Sequence, residues 1–314
     1  MFKKYLPILI SLLIVALVAF LVFINKSKEP ILKQKESIGG FKKQSSCARH
    51  PQFLSTLNVT HPITIDLSQQ QFKGLAFLYG KNFSQVIHPK SWENFEHFST
   101  YALDKQGNVF LAPMPFISIK PTTFNLQKNI YKLDSLTGRI SIFIHFDEVL
   151  PSASNPYGIV SLVYDCTDET LWVSAIDESN YREEKGVIYH VDIKSKEILQ
   201  KVKGTDALTL RLLKSKNGKF LLAGSARKNA LYAFKIEQQK IVKDSKIKLL
   251  ELPSANERIR KIKIKKENIL ELQTIPFSYT LVAETSDKKE RKEYEVEWDD
   301  KGSQFRVMLK PALW

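Results

Sequence analysis

Cysteine is scarce in this chain, which has only two cysteines, Cys47 and Cys166, among 314 residues. Two cysteines at this separation form neither a C-x-x-C pair nor a zinc motif. They could pair in an oxidising compartment, but a sequence does not show whether their Cα atoms come close enough for a disulfide. We favour two independent thiols and leave the pairing open.

The motifs of several enzyme classes are also missing. The six histidines show no H-E-x-x-H spacing, and we interpret all six as structural or surface residues. The pair Gly224-Ser225 lacks the G-x-S-x-G frame of a nucleophile elbow, and no glycine-rich phosphate loop occurs. The sequence therefore offers no coherent catalytic set. We leave enzymatic activity undecided and lean against it.

Charged residues are absent from the stretch 6–24, LPILISLLIVALVAFLVFI, which as a helix would span about 28 Å, close to the hydrocarbon thickness of a bilayer. The stretch predicts an uncleaved transmembrane anchor after a short basic head, residues 1–5. A cleaved signal peptide is the alternative, but no A-x-A-like site follows the run. Residues 25–46 contain six lysines, two glutamates and little to bury, which predicts a basic linker. The domain 47–314 is expected on the extracytoplasmic side.

The formal net charge of +14 is unevenly distributed, because residues 1–46 carry +6 and the remaining chain carries +8. A domain with this milder excess is compatible with solubility or with attraction to an acidic surface. The chain contains no recognisable nucleic-acid-binding module, so no nucleic acid partner is expected.

Four segments after residue 97 share one pattern of four short strands. In each, an apolar strand ends in a polar turn, a second apolar strand follows, and the third strand is centred on an aromatic residue. These aromatic residues are Tyr131, Tyr189, Tyr232 and Tyr294. The fourth strand opens nine residues later in the first three segments and eleven residues later in the last. Repeated four-stranded sheets that bury their faces by radial stacking predict an all-β domain, a β-propeller, rather than a β-sandwich.

Residues 50–96 show the repeat poorly, so the number of blades is left at five or six. The stretch 155–177, NPYGIVSLVYDCTDETLWVSAID, resembles a blade of the NHL, streptogramin-lyase and regucalcin/gluconolactonase type. The stretch 130–140, IYKLDSLTGRI, is similar to the hairpin between the third and fourth strands of the same group. The resemblance covers about residues 97–250 and implies a ring of six blades, which we therefore favour.

The resemblance also implies a place to look for a metal. Regucalcin-like hydrolases hold a divalent ion at the mouth of the central channel through a Glu, two Asn and an Asp. Asn155 and Asp206 precede neighbouring blades and are the candidate ligands for Ca²⁺, Mg²⁺ or Zn²⁺. The matching acidic residue and second Asn are missing, so the favoured interpretation is that both residues cap turns. No cofactor is expected unless this alternative holds.

A run of cations at 258–266, RIRKIKIKK, forms a candidate basic patch. Its members are Arg258, Arg260, Lys261, Lys263, Lys265 and Lys266. As a strand, this run would place Ile262 and Ile264 on one face and Lys261, Lys263 and Lys265 on the other. A solvated strand face is the favoured interpretation, and a stripe that meets an acidic polymer, lipid or protein is the alternative.

Together these features predict a binding or scaffold module anchored by a single helix at the outer face of a membrane. Its expected ligand is a protein or an envelope polymer at the channel mouth. The alternative function is that of a metal-dependent hydrolase or lactonase of the regucalcin type.

Overall fold

The computed structural model describes residues 37–59, 61–67, 73–95, 97–115, 124–280 and 291–308. The predicted head and anchor, residues 1–24, lie outside the described residues and stay predictions. Within the described ranges, no helix is both long enough and apolar enough to cross a bilayer. These ranges contain one short α-helix, α1 (Phe53–Thr56). Short 3-10 helices cover Lys81–Phe83, Lys90–Phe95 and Phe124–Lys128.

Twenty strands in the described ranges form five antiparallel sheets that follow one another along the chain. Sheet 1 contains β1 (Ile63–Asp66), β2 (Ala76–Tyr79) and β3 (Gln85–Ile87). Sheet 2 contains β4 (Phe98–Leu103), β5 (Val109–Pro113), β6 (Asn129–Leu133) and β7 (Ile140–His145). Sheet 3 contains β8 (Ile159–Asp165), β9 (Thr170–Ala175), β10 (Val187–Asp192) and β11 (Ile198–Lys203).

The last two sheets complete the series. Sheet 4 contains β12 (Ala207–Ser215), β13 (Gly218–Ser225) and β14 (Ala230–Glu237), and its fourth position is shared by β15 (Lys240–Ile241) and β16 (Ile247–Glu251). Sheet 5 contains β17 (Glu257–Lys266), β18 (Ile269–Pro276), β19 (Lys292–Asp299) and β20 (Gln304–Met308). Each sheet is one blade, so the predicted all-β propeller is confirmed.

The favoured number of six blades is wrong, because the described chain forms five sheets. Within the stretch 50–96, where the repeat was poorly visible, the described residues form the three-stranded sheet 1 and three short helical segments. Each of the four repeats that are visible in the sequence forms one sheet. The described residues therefore leave no strands from which a sixth blade could be built.

The four repeat tyrosines occupy one equivalent position in successive sheets. Each lies on the third strand, directly opposite a second-strand residue, which in turn lies opposite a first-strand residue. The four rows are Tyr101–Leu111–Tyr131, Leu162–Val173–Tyr189, Leu210–Ala223–Tyr232 and Ile262–Leu272–Tyr294. The prediction that the sequence repeat corresponds to one structural unit is confirmed.

Apolar clusters join consecutive sheets and form the core. One cluster joins sheets 1 and 2, a second joins sheets 2 and 3, a third joins sheets 3 and 4, and a fourth joins sheets 4 and 5. A fully closed ring of five sheets would have five such contacts. None of the clusters formed by the described residues joins sheet 5 to sheet 1.

An N-terminal strap, residues 37–59, crosses the end of the propeller where first and second strands connect. The Asn217 side chain donates to the Ser37 carbonyl (2.8 Å), and the Asn268 side chain accepts from the Phe41 amide (2.8 Å). Farther along, the Arg49 amide donates to the Asp104 carbonyl at 3.1 Å. The strap thus contacts the turns of sheets 4 and 5 and then that of sheet 2.

Between these contacts the strap is bonded to sheet 3. Cys47 forms a disulfide with Cys166, and their Cα atoms are 6.0 Å apart. The favoured interpretation of two independent thiols is therefore wrong. Ile38 and Phe41 are buried in the cluster of sheets 4 and 5, whereas Phe53 and Leu54 are buried with sheets 1 and 2. The strap consequently contributes to the core at both ends of the sheet series.

One histidine is deeply buried in the interior of the propeller. The His190 ring stacks on Trp172, with centroids 3.9 Å apart, and its Nε2 lies 2.8 Å from the Thr170 hydroxyl. Burial lowers the pKa of His190 to about 4. Because an unfolded histidine titrates near 6.5, the unfolded state takes up a proton first as the pH falls, and acid therefore favours unfolding.

We therefore expect His190 to destabilise the fold by about 2 kcal/mol when the pH falls from 7 to 5. Urea unfolding at the two pH values measures this loss. In His190→Gln the loss should shrink by about that amount. The matched control is His145→Gln, because the His145 side chain is 43% exposed. An unchanged pH dependence in His190→Gln would contradict the assignment.

Candidate functional site

The first strands of four sheets carry a β-bulge at the same place. In each of these first strands, one residue lies between two residues that pair with the second strand but has no paired partner itself. These unpaired residues are Ser99, Val160, Leu208 and Arg260. A bulge interrupts the pairing locally and redirects side chains, which is why bulges often border functional sites. The sheets thus present four equivalent positions, three occupied by neutral residues and one by an arginine.

Arg260 links first strands that come from different sheets. Its Nη2 donates to the Ser99 carbonyl of β4 at 3.0 Å, and its Nη1 lies 3.5 Å from the Leu208 carbonyl of β12. Burial lowers the pKa of this guanidinium, and the Tyr157 phenol lies close enough to influence it. Arg260 forms no ion pair with a described carboxylate. A positive charge is therefore held among backbone carbonyls.

A row of four aromatic rings lies at the other end of the propeller from the strap, which we call the mouth. Consecutive centroids of Tyr157, Phe277, Tyr279 and Tyr181 are 5.1, 5.4 and 5.6 Å apart. Tyr157 precedes sheet 3, Tyr181 lies in the loop between β9 and β10, and Phe277 and Tyr279 follow β18. The row therefore connects loops of sheets 3 and 5.

Tyr279 anchors this aromatic row. Its ring packs in a buried cluster with Val160 and Leu208, two of the bulge residues. Its hydroxyl donates to Asp206 Oδ2 at 2.5 Å. Burial raises the pKa of the Tyr279 phenol, and the bond to Asp206 raises it further. Tyr279 is thus a neutral hydrogen-bond donor at neutral pH.

Asp206, a predicted metal ligand, lies at the centre of a buried hydrogen-bond network. Its Oδ1 accepts from the Ser179 hydroxyl (2.6 Å) and the Gly186 amide (2.7 Å), and its Oδ2 accepts from Tyr279. Burial raises the pKa of Asp206, although these three donors oppose the rise. Both carboxylate oxygens therefore hold loops in place.

Asn155, the second predicted ligand, belongs to the same network. Its Nδ2 donates to the carbonyls of Ile176 (2.6 Å) and Ser179 (2.9 Å), and its Oδ1 accepts from the Tyr157 amide. The structure thus brings the two candidates together through Ser179. The described residues contain no group of three or more His, Cys, Asp or Glu side chains arranged to hold a metal. A metal at Asn155 and Asp206 stays a prediction from the sequence.

The predicted basic patch is divided among three places. Arg258 lies toward the mouth, where its Nε donates to the Ala226 carbonyl at 2.9 Å. Arg260 lies among the bulges. The remaining cations, Lys261, Lys263, Lys265 and Lys266, are exposed. Ile262 and Ile264 are buried, as the alternation predicts.

Sequence reasoning missed several residues of this region. Phe277 and Tyr279 lie outside the repeat, so the strand pattern gave no reason to select them. Tyr181 lies in the loop between β9 and β10, which is not part of the repeated strand pattern. Their contacts are formed between loops of different sheets. A strand pattern within one repeat does not show which loops lie close together in the fold. The four bulges were also missed, since one extra residue hardly changes a short apolar run.

Comparison with known proteins adds no family. No protein-family model matches the chain, and no curated protein matches it. The structure of Kuenenia stuttgartiensis hydrazine synthase is similar over 67% of this chain at 12% identity, with a TM-score of 0.39. That alignment spans only 49% of the hydrazine synthase chain.

Two further similar structures align over larger fractions of both this chain and their own chains. The periplasmic gluconolactonase PpgL of Pseudomonas aeruginosa aligns over 78% of this chain and 80% of its own, at 10% identity and a TM-score of 0.45. A glucose dehydrogenase aligns over the same shares at 13% identity and a TM-score of 0.43. The strand order itself defines the class of protein, which is a five-bladed β-propeller. We transfer no activity from these structures, because fold does not determine function.

Proposed function

We propose that this protein is a binding module at the outer face of a membrane and that its mouth contacts a protein or an envelope polymer. The observation that carries the proposal is the aromatic row Tyr157, Phe277, Tyr279 and Tyr181. Aromatic side chains beside arginine are enriched where proteins bind partners, because they offer a large contact area at little entropic cost.

The exposure of Tyr181 and the rigidity of the row support this role. Tyr181 is 65% exposed, and its hydroxyl donates to Ser278 at 2.7 Å. Its ring packs edge-on against the buried Tyr279, which Asp206 holds in turn. Arg258 lies close enough to Tyr279 and Tyr181 for them to influence its pKa. A ligand would therefore meet a surface that is ordered before binding.

The proposed location rests on two features. The disulfide between Cys47 and Cys166 favours an oxidising compartment, where such bonds form and persist. The uncharged run 6–24 and its flanking lysines favour an anchor that keeps the domain outside the cytoplasm. The metal-dependent hydrolase is not proposed as a second function, because Asn155 and Asp206 use their polar atoms in the loop network.

Site-directed photo-crosslinking in cells tests the mouth. A photo-reactive phenylalanine in place of Tyr181 is expected to trap the ligand as an adduct of defined mass. The matched control places the same residue at Leu136, which is 67% exposed in the turn between β6 and β7 at the strap end. Adducts only at position 181 support the proposal. Equal adducts at both positions, or none at position 181, would overturn it.

A further inference from the structure

A cavity opens at the end of the propeller that the strap crosses, which we call the strap end. Its volume is about 280 Å³. It lies between the strap and the connections that join the first and second strands of sheets 4 and 5. The lining residues are Gly40, Phe41, Lys42, Gln44, Lys214, Ser215, Lys216 and Glu267. A cavity of this size is slightly smaller than the pockets that bury drug-sized ligands, but it has room for a phosphate group.

Hydrogen bonds hold the strap in place beside this cavity. The Lys216 amide donates to the Gly40 carbonyl at 2.8 Å, and the Gln44 side chain donates to the Lys214 carbonyl at 3.2 Å. These bonds join the strap to sheet 4, and the bond to the Asn268 side chain joins it to sheet 5. The walls of the cavity are therefore formed before any ligand binds.

Three lysines of the lining have no carboxylate partner among the described residues. Lys42, Lys214 and Lys216 are exposed, and none of them forms an ion pair with a described carboxylate. Glu267 is the one carboxylate among the lining residues, so the positive charges of the cavity exceed the negative ones by two. Such an excess attracts an anionic partner.

The acidic residues of the neighbouring connection in sheet 3 do not offset this charge. Asp165 and Asp168 both form ion pairs with Lys219, and the distance from the Lys219 Nζ to the Asp168 Oδ2 is 2.6 Å. Lys43, which follows Lys42 along the strap, is exposed and adds a further positive charge. The excess of positive charge therefore continues along the strap beyond the cavity.

The place of the strap in the sequence favours one anionic partner over others. The predicted anchor ends at residue 24 and the strap begins at residue 37, so the twelve residues 25–36 lie between them. Twelve residues span at most about 40 Å when fully extended. Because strap residues line the cavity, a tether of this length keeps a bilayer surface at a high effective concentration. A partner that diffuses freely has no such advantage.

We propose that the strap end docks on an anionic lipid surface and that the cavity receives a phosphate headgroup. Lysines suit this contact, because each is a flexible point charge that binds phosphate without requiring a fixed geometry. The lipid belongs to the membrane that the predicted anchor crosses, and docking leaves the mouth free to bind its ligand. The inference rests on the proposed location at a membrane and is independent of the ligand of the mouth.

Lysine acetylation of the full-length protein in lipid nanodiscs tests the docking. Discs of phosphatidylcholine are compared with discs that contain phosphatidylglycerol at the same low ionic strength, and mass spectrometry gives the acetylation rate of each lysine. In the phosphatidylglycerol discs we expect the rates of Lys42, Lys214 and Lys216 to fall by about fivefold or more, which corresponds to the attraction of one lysine to an anionic surface. The internal reference is Lys228, which is exposed in the loop between β13 and β14 at the mouth, and its rate should change by less than about twofold.

A double charge reversal separates the cavity from general attraction to the lipid. In the variant Lys214→Glu and Lys216→Glu, the slowing of Lys42 by phosphatidylglycerol should disappear. Both side chains are exposed, so the variant should fold, and circular dichroism checks this. The matched control is Lys185→Glu and Lys228→Glu, which makes the same change of charge at exposed positions of the mouth and should leave the slowing of Lys42 intact.

Three results would overturn the proposal. They are equal rates for the cavity lysines in the two kinds of disc, equal slowing of Lys228, and slowing of Lys42 that persists in the double reversal. Slowing by added glycerol phosphate in phosphatidylcholine discs, without an effect of phosphatidylglycerol, would assign the cavity to a small phosphorylated ligand and would also exclude docking. Retention in phosphatidylcholine discs reports the anchor separately, so a failure of the anchor and a failure of the docking are distinguishable.

Discussion

Asp206→Ala is expected to lower the free energy of unfolding by about 3–5 kcal/mol, because three buried donors lose their acceptor at once. These donors are the Ser179 hydroxyl, the Gly186 amide and the Tyr279 hydroxyl. Asp206→Asn should cost only about 1–2 kcal/mol, since the amide retains one acceptor and adds no buried charge. Urea unfolding followed by circular dichroism measures both values.

Two comparisons make this result specific. Asp147→Ala is the matched control, because the Asp147 side chain is 99% exposed, and it should change stability by less than about 0.5 kcal/mol. If Asp206→Ala costs less than that, the network does not hold the loops. A rise in wild-type stability with Ca²⁺ that is absent in Asp206→Asn would instead support the metal site predicted from the sequence.

The double substitution Cys47→Ser and Cys166→Ser is expected to destabilise the protein by about 3–5 kcal/mol. The two cysteines are 119 residues apart in the sequence, and opening a loop of that size adds much conformational freedom to the unfolded chain. Urea unfolding of the two proteins gives the difference.

Reduction provides the control for the disulfide. A thiol reductant should destabilise the wild-type protein by a similar amount and leave the double variant unchanged. Equal stability of wild type and double variant would show that noncovalent contacts alone hold the strap. Loss of the crosslink should also expose Phe53 and Leu54, which the strap buries against sheets 1 and 2.

The repeat could be predicted because each repeat is formed by residues that are close to one another in the sequence. Each sheet forms from consecutive strands, and the spacing from aromatic residue to fourth strand is set within one hairpin. The four tyrosines consequently fall at one structural position. The blade number depended instead on residues 50–96, where the described residues form a sheet of three strands and the sequence is irregular. The sixth blade was expected only from the resemblance, and the sequence of residues 50–96 gave no separate indication of it.

The cations of β17 illustrate why a correct strand can still give a misleading site. Buried residues alternate as Glu257 and Ile259, then as Ile262 and Ile264. The bulge at Arg260 shifts this alternation by one residue. A contiguous run of cations is therefore divided between the mouth, the bulges and the exposed face of β17. The pairing of Cys47 with Cys166 was likewise hidden, because it depends on a path between distant residues.

The strap also explains how a series of sheets with two ends can behave as one unit. Among the described residues, four apolar clusters join consecutive sheets, so in their apolar contacts sheets 1 and 5 resemble the end units of a linear stack. Such ends are prone to fraying. The strap inserts side chains beside both ends and is covalently fixed at the middle. The strap therefore connects the first and last sheets of the series and couples their stability.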